Sequence, residues 1–201
     1  MSQPTDRETR GPDLPPAPLL RLSQLPERAH SRWASIQRQY AHGHDRPLLG
    51  YLAVSSTYGL GAVALGLAVR ARAHDRISSR DLALITVATH RLSRTLAKDA
   101  VTSPMRAAFT RYAESGLPSE VNEEVAPHQE HSQIGHAVGE LVSCPFCLAQ
   151  WVATGLVAAQ LLAPTLTRHV TSTLTAVAGA DVLHLAYSTL ERLEQKAQDA
   201  G

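Results

Sequence analysis

The fold is decided around Gly139–Trp151, whose sequence is GELVSCPFCLAQW. This stretch holds both cysteines of the 201-residue chain, Cys144 and Cys147, three positions apart. It also opens a run without charged residues that continues to Thr167. A run of this length is enough to cross a bilayer. The sequence therefore predicts a polar and chemically reactive pair at the mouth of a membrane-spanning helix.

The charged residues are segregated along the chain. The 19 Lys and Arg nearly balance the 18 Asp and Glu, giving a net charge of +1, so we expect no nucleic-acid partner. Charges crowd into the first 46 residues, the middle loop and the last ten residues, and the stretches between them carry few or none. Aromatic residues make up only 4% of the chain, while Ala, Leu, Val and Gly prevail, as suits helices that pack closely in lipid. This pattern predicts an all-α integral membrane bundle in contact with membrane lipids.

We predict about four membrane-embedded helices, of which the second is short. They are Leu48–Val69, Leu82–Leu96, Leu148–Leu166 and Val170–Leu190. The first has about 22 residues and reaches roughly 33 Å, whereas the second has about 15 and reaches roughly 22 Å, so a surface or re-entrant helix is the alternative there. An arginine at mid-bilayer costs at least about 2.5 kcal/mol. Arg91 and Arg94, at the end of the second helix, should therefore lie at an interface or face a polar cavity.

Residues 1–45 form a separate N-terminal segment, and residues 46–201 form the helical membrane domain. Residues 1–30 hold six of the 12 prolines and are predicted to be disordered, because they cannot bury enough apolar surface. From Ser31 to His42, three larger side chains fall on one helical face, namely Trp33, Ile36 and Tyr40. This favours a short helix in the headgroup region, or else a partly helical linker.

Small residues line one face of the first predicted span. Ser55, Gly59, Ala62 and Gly66 step by four, three and four positions. Such a stripe lets a second helix approach closely. It predicts helix packing and a homo-oligomer.

The orientation follows from the basic residues near the ends of the spans. With four spans, the N-terminal segment, the middle loop and the C-terminal tail share one side. That side carries 11 Lys and Arg, against five on the other. Both termini and the cysteine pair are therefore predicted to face the cytoplasm.

Two motifs together resemble a known family. The first is Arg91-Leu92-Ser93-Arg94 followed by Lys98–Thr110, which reads KDAVTSPMRAAFT. The second is Gly139-Glu140-Leu141 with Cys144-Pro145-Phe146-Cys147-Leu148 and Trp151. They resemble the two halves of an uncharacterised bacterial membrane-protein family, domain of unknown function 1360, some of whose relatives carry a sporulation membrane protein label. The resemblance covers about residues 80–190. It implies an integral protein of the bacterial cytoplasmic (inner) membrane and supplies no established reaction.

The cysteine pair is the first candidate for chemistry. Cys144 and Cys147 lie on one helical face, and Pro145 favours a helix start with Cys144 near the cap. A helix N-terminus favours the thiolate, as a dithiol redox site requires. The alternative is a pair of reduced cysteines that pack at the membrane surface.

The same pair could hold a metal ion. A structural zinc site needs four ligands, and one Cys-x-x-Cys motif supplies two. His128, His131 or His136 could complete the set, although their spacing matches no standard finger. The alternative is that these are solvated loop histidines, and no cofactor is predicted beyond this zinc alternative.

Two further polar sets are candidates. Asp181 and His184 lie three apart on one face of the last predicted span, where they could relay a proton or bind an ion. Alternatively they satisfy each other, with Thr154 or Gln150 as further partners.

The second set is Arg91, Arg94 and Arg106 with Asp99, which could hold lipid phosphates. Alternatively these arginines pair with Asp99 and Glu140 and lock the loop against the helices, the interpretation we prefer. Ser103-Pro104 in this loop is predicted to start a helix with the Ser103 hydroxyl as its cap.

The sequence favours a non-enzymatic membrane scaffold or interaction protein. Its middle loop and cysteine motif would form one cytoplasmic-face surface, recognised by a protein partner or by lipid. The alternative is a membrane thiol-redox or metal-binding protein that uses Cys144 and Cys147. A third hypothesis is a small ion or solute carrier that uses Asp181 and His184.

Overall fold

The structure, a computed structural model, describes residues 25–41, 46–72 and 77–199. These residues form eight α-helices, a short 3-10 helix and a two-stranded antiparallel sheet. The helices are α1 Leu25–Ala41, α2 Leu48–Arg72, α3 Ser79–Lys98, α4 Ser103–Arg106, α5 Pro127–Glu130, α6 Gln133–Ser143, α7 Pro145–Leu162 and α8 Pro164–Asp199. The 3-10 helix is Ala100–Thr102, and the strands are β1 Thr110–Ser115 and β2 Val121–Val125. The chain is therefore mostly helical, as predicted.

The chain divides into two compact units, residues 1–46 and residues 47–201. In the first unit, α1 begins at Leu25, earlier than the start predicted at Ser31. Trp33 is half-buried, while Ile36 and Tyr40 are exposed. Most of the segment predicted to be disordered, residues 1–24, lies outside the described residues.

Two of the described helices are long and apolar enough to cross a membrane. They span Leu48–Ala71 in α2 and Pro145–Leu162 in α7. Neither resembles the buried core helix of a soluble protein, because none of the most apolar 18-residue stretch of α2 and only 17% of that of α7 is buried. The helices predicted at these two places are confirmed.

The other two predicted spans are helical, but they are not apolar enough to count as membrane-crossing helices in the same way. α3 carries Arg91 and Arg94 in its second half, and α8 interleaves Thr, His and Asp with its apolar residues. Four membrane-embedded helices are therefore not confirmed. Only Ala163 separates α7 from α8, and α8 continues through the predicted polar tail to Asp199.

Side-chain contacts define the directions of the helices. Tyr58 contacts both Trp151 and Thr154, and a groove between α2 and α7 continues to Val69 and Leu161, so α2 and α7 run in the same direction. α3 and α8 also run parallel to each other, because Arg168 bonds Asp81 and Thr175 bonds Leu84. Since the start of α3 lies beside the start of α8, and thus near the end of α7, α3 is antiparallel to α7.

Residues Ala100–Ser143, which we call the cap, lie between the end of α3 and the start of α7. They contain the hairpin that contradicts the all-α prediction. Its second strand lies in an acidic stretch expected to be loop-like, and its first strand lies where the helix predicted from Ser103 would have continued. Thr110 pairs with Val125 and Ser115 with Val121, with a bulge between Tyr112 and Glu114. The turn places Ser119 at a positive φ of 68°. These strands lack apolar alternation and carry several charges, so the usual sequence signal for a strand is absent.

Two glycines allow the cap to approach its neighbours closely. At Gly50, the first turn of α2 meets the backbone of Gln133 and the side chain of Ala137 in α6. At Gly139, α6 meets the carbonyl oxygen of Phe109 and the side chain of Val125. The cysteine-bearing start of α7 is thus fixed through α6 to both α2 and the hairpin.

We predict that Gly50→Ala destabilises the protein, because a methyl group there would overlap the Gln133 carbonyl oxygen. Overpacking of this kind costs about 1–3 kcal/mol. The matched control is Gly59→Ala in the same helix, where a methyl group meets nothing within 4 Å and helix propensity favours alanine. Thermal unfolding in detergent measures both. Equal melting temperatures for Gly50→Ala and the parent would contradict the close α2–α6 contact.

Candidate functional site

Arg106 is the most thoroughly bonded side chain of the cap. It is 2% exposed and lies against Glu123, which is 5% exposed. Its Nε donates to Glu123 Oε2 at 2.8 Å and its Nη2 donates to Oε1 at 2.9 Å, a two-pronged contact. Its Nη1 donates to the carbonyl oxygen of Leu96 at 2.7 Å. Arg106 therefore ties the end of α3 to the hairpin and satisfies a helix carbonyl that has no partner within the helix.

The predicted role of Ser103 as a helix cap is wrong. The N-cap residue of α4 is Thr102, and its side chain makes no capping hydrogen bond to the helix. The Ser103 hydroxyl instead donates to Glu123 Oε1 at 2.6 Å, and Thr110 donates to Oε2 at 2.7 Å. Glu123 was not predicted as a site residue, because its strand lacks the apolar alternation that would place it opposite Arg106. A buried arginine nevertheless requires an acidic partner.

These bonds determine the ionisation of Glu123. Burial opposes the charged form, but hydrogen bonds from Arg106, Ser103 and Thr110 outweigh it and hold the pKa of Glu123 below its usual value. A carboxylate that accepts several hydrogen bonds keeps its charge in this way. The network is thus a charged core for the cap.

The other arginines of the predicted set are also paired. Arg91 Nη2 donates to Asp99 Oδ2 at 3.2 Å, and Arg94 Nε donates to Glu120 Oε1 at 3.1 Å. Within the described ranges, the predicted pairing of these arginines with Glu140 is not seen. Glu140 accepts a hydrogen bond from Tyr51, and His136 Nε2 lies 3.5 Å from its Oε1. The arginine cluster therefore makes internal contacts, with the partner of Arg106 being Glu123.

Asp181 and His184 do not pair with each other in the structure. Asp181 Oδ2 lies 3.0 Å from Arg91 Nε, a charge contact without hydrogen-bond geometry. Thr154 bonds Tyr58 rather than Asp181. His184 is exposed. The acid thus joins the arginine cluster, and its role as a relay or ion ligand stays a prediction.

A further ion pair, which was not predicted, lies at the opposite end of α3. Arg168 Nε and Nη2 each lie 3.0 Å from a carboxylate oxygen of the buried Asp81. The Arg168 hydrogen bonds hold the pKa of Asp81 below its usual value. The Ser78-x-x-Asp81 spacing is a helix-start signal, and the Ser78 hydroxyl accepts from the Asp81 amide.

The cysteine pair lies where α6 ends and α7 begins. Cys144 is the N-cap of α7, Pro145 occupies the first turn, and the amide of Cys147 donates to Cys144 Sγ at 3.3 Å. The predicted helix start is confirmed. Both cysteines are free thiols; Cys144 is half-buried and Cys147 is exposed.

Cys147 opens onto a cavity of about 370 Å³ between α2, α6 and α7. We call it the thiol cavity. Its polar and aromatic lining consists of Tyr51, Ser55, Tyr58, Glu140, Cys147, Gln150 and Trp151. Tyr58 and Trp151 pack edge to face, with ring centroids 5.2 Å apart. The volume falls in the range of small-molecule sites. Apart from the cysteine, these residues were not predicted as site residues, because only the packing of α2 on α7 brings them together.

The histidines of the predicted zinc site do not converge on the cysteines. His128 Nε2 lies 3.2 Å from the carbonyl oxygen of Ala108, and His131 caps the short helix α5. Across the described ranges, no group of three or more His, Cys, Asp or Glu side chains is placed to hold a metal ion. The geometry therefore gives zinc no support.

Comparison with known proteins identifies a family without a function. A family model described as a protein of unknown function, DUF1360, matches residues 84–187. This range contains the arginine cluster, the cap and the cysteine pair. No curated protein and no solved structure matches the chain.

We predict that Arg106→Met destabilises the cap strongly, because it leaves Glu123 as a buried charge without its partner. Removing one member of a buried pair costs about 3–5 kcal/mol. The matched control on the same hairpin is Arg111→Met, whose pair with Glu124 is half exposed on both sides, at 54% and 54%. Such a surface pair is worth less than about 1 kcal/mol. Chemical denaturation in detergent compares the two, and equal losses would contradict the central role of Arg106.

We also predict acid lability of the cap. A carboxyl group whose folded pKa is depressed stabilises the fold above its unfolded pKa, and this contribution is lost as the pH falls through the folded pKa. Stability should therefore decline below the usual value of 4.5 for Glu123. Melting temperatures measured between pH 7 and pH 3 should fall less steeply in Glu123→Gln than in the exposed control Glu124→Gln. If the melting temperatures of the two variants fall equally with pH, Glu123 is not a source of the acid lability.

Proposed function

Since the chain belongs to DUF1360, a family of proteins of unknown function, we propose a function from its own residues: an integral membrane thiol-redox protein. Its centre is the Cys144–Cys147 pair, held at the N-terminal end of a membrane-spanning helix. The observation that carries this proposal is the amide of Cys147 donating to Cys144 Sγ beside an open cavity.

The membrane part of the proposal rests on surface chemistry. Large apolar side chains are exposed along α2 and α8, among them Leu60, Leu67, Leu183 and Leu190. Contiguous apolar surface of this kind is rare on soluble monomers. With α2 and α7 spanning the bilayer, α3 and α8 would accompany them as the two further embedded helices.

The charges of these two helices suit such a position. An intramembrane arginine or aspartate is costly unless it is paired. Arg91 lies against both Asp99 and Asp181. The basic residues near the cap would place the cap, both termini and the cysteines on the cytoplasmic side of the inner membrane.

The dithiol part of the proposal rests on geometry. Cys144 is the N-cap residue of α7, and its sulfur accepts a hydrogen bond from the Cys147 amide in the first turn of that helix. One-turn spacing leaves the two Cβ atoms about 5–6 Å apart, against about 3.5–4.5 Å in a disulfide. Closing the bridge therefore requires only a local adjustment of the first turn of α7.

A second candidate function is the scaffold that the sequence favours. Val101 and Met105, both on the cap, are 84% and 71% exposed. Side chains of this type in a protein–protein contact region would dock an apolar face of a partner. The network around Arg106 would then provide the rigid support for that surface.

We predict that Cys144 and Cys147 form a reversible intramolecular disulfide. Carbonate-washed membranes containing the protein are equilibrated in glutathione buffers of graded potential, and free thiols are counted by the gel shift of a maleimide polymer. In the parent protein, the number of maleimide polymers attached to each chain should fall from two to none in a single step. Cys144→Ser retains an oxygen that can cap α7, so it should fold normally and show one addition in reducing buffer.

Three results would contradict the proposal. If two maleimide polymers attach at every glutathione potential, the cysteine pair is a structural dithiol. Disulfide-linked dimers in place of the internal bridge would show that the two sulfurs do not meet. Release of the chain into the carbonate wash would remove the membrane part.

A further inference from the structure

A second, apolar space lies beside the thiol cavity along the same pair of helices. This seam groove has a volume of about 300 Å³. Its lining is made of small and aliphatic residues of α2 and α7, including Ala62, Gly66, Val69, Ala153, Val157 and Leu161. Thr154 lines the groove and shares a hydrogen bond of 2.8 Å with Tyr58, which lines the thiol cavity. The two spaces are therefore adjacent, and the groove leads away from the cysteines along the helices.

A cavity with polar walls beside an apolar groove would fit an amphiphile with a compact polar head and a long apolar tail. The seam groove offers no charged side chain to a ligand. The small residues Ala62 and Gly66 leave room between α2 and α7, and a methyl group added at Gly66 would meet nothing within 4 Å. A hydrocarbon chain can occupy such a groove without displacing protein atoms.

The lining favours an uncharged head, because the Glu140 carboxylate, which would attract a cation, already contacts Tyr51 and His136. Among the described residues that line the thiol cavity there is no lysine or arginine. Phosphate recognition depends on such cations, so a phospholipid headgroup is disfavoured. The cavity presents instead the ring surfaces of Tyr51, Tyr58 and Trp151 and the side-chain amide of Gln150. Flat rings pack on aromatic side chains, and an amide N–H donates to a carbonyl oxygen.

Among neutral amphiphiles with a ring as the head, the thiol of Cys147 favours one that can accept electrons. It lies in the wall of the cavity, one helical turn from Cys144. A dithiol is a two-electron donor, and a quinone is a two-electron acceptor that dissolves in lipid. We propose that the thiol cavity and the seam groove bind an isoprenoid quinone, which the reduced Cys144–Cys147 pair converts to the hydroquinone.

The reaction balances without a further reactant. The Cys147 sulfur adds to the quinone ring, forming an S–C bond, and its proton goes to one ring oxygen. The Cys144 thiolate then attacks the Cys147 sulfur. The S–S bond forms, the S–C bond breaks, and its electron pair returns to the ring. The proton released by Cys144 goes to the second ring oxygen. Two S–H bonds are lost, the cysteines are oxidised to a disulfide, and the quinone is reduced to the hydroquinone.

This inference rests on the proposed thiol-redox function, and the experiment separates the two. Reduced full-length protein in detergent is mixed without oxygen with decylubiquinone, and absorbance reports hydroquinone formation. Binding is followed separately by fluorescence in a Trp33→Phe background, which leaves Trp151 as the single tryptophan. We expect one hydroquinone per protein, loss of both free thiols, and quenching of Trp151.

The groove is tested by a matched pair of variants in α2. Gly66→Leu fills the seam groove, whereas Gly61→Leu adds the same side chain at an exposed position outside its lining. Neither position has a heavy atom within 4 Å of an added methyl group, so both variants should fold. Gly66→Leu should weaken decylubiquinone binding by at least about tenfold, the loss of roughly two buried methylene groups. Gly61→Leu should match the parent.

Each outcome has a defined meaning. A disulfide that forms in glutathione buffer, with neither hydroquinone nor quenching from decylubiquinone, overturns the quinone and leaves the redox function standing. Failure to form a disulfide with either oxidant overturns both. Equal binding by Gly66→Leu and Gly61→Leu overturns the seam groove as the tail site. Quenching by decylubiquinone without loss of thiols shows binding only and overturns the electron transfer.

Discussion

The buried pair of Arg106 and Glu123 is the contact on which the rest of the cap depends. Two charged groups taken out of water are stable only when they meet each other and when their remaining hydrogen-bonding atoms find partners. Here those partners come from α3, α4 and β1, so one arginine connects elements that are separate in the sequence. The hairpin held in this way packs through Val125 on Gly139, five positions before Cys144. The charged core of the cap thus determines where the thiols lie.

A second constraint is the separation of charge from apolar surface. The helices that lack charge present their aliphatic side chains outward, while ion pairs gather at the two ends of α3: Arg168 with Asp81 at one end, and Arg91 with Asp99 and Asp181 at the other. An arrangement of this kind resists sliding of α3 along α8, because a shift of one turn would separate several opposite charges at once. It also leaves the face between α2 and α7 to be filled by small residues and aromatic rings.

The sequence predicted the helices that depend on local signals. The uncharged runs located α2 and α7, and the proline after Cys144 located the start of α7, because both signals act within a few residues. The hairpin was not predictable in this way, since Thr110 and Glu123 face a buried arginine rather than an apolar core. The cysteines of the candidate site were found from their spacing. Tyr51, Tyr58 and Trp151 could not be assigned to the same site, because nothing local indicates that α2 packs against α7.

The last helix, α8, is twice as long as α7. α7 has 18 residues and α8 has 36, so α8 extends about 54 Å against about 27 Å for α7 at 1.5 Å per residue. Because α8 begins where α7 ends and runs back beside α3, its final turns pass the level of Cys144 and continue for roughly 27 Å. A reporter or affinity handle fused after the last residue would consequently stand well clear of the thiols, whereas one inserted at Ala163 would sit at the far side of the bundle.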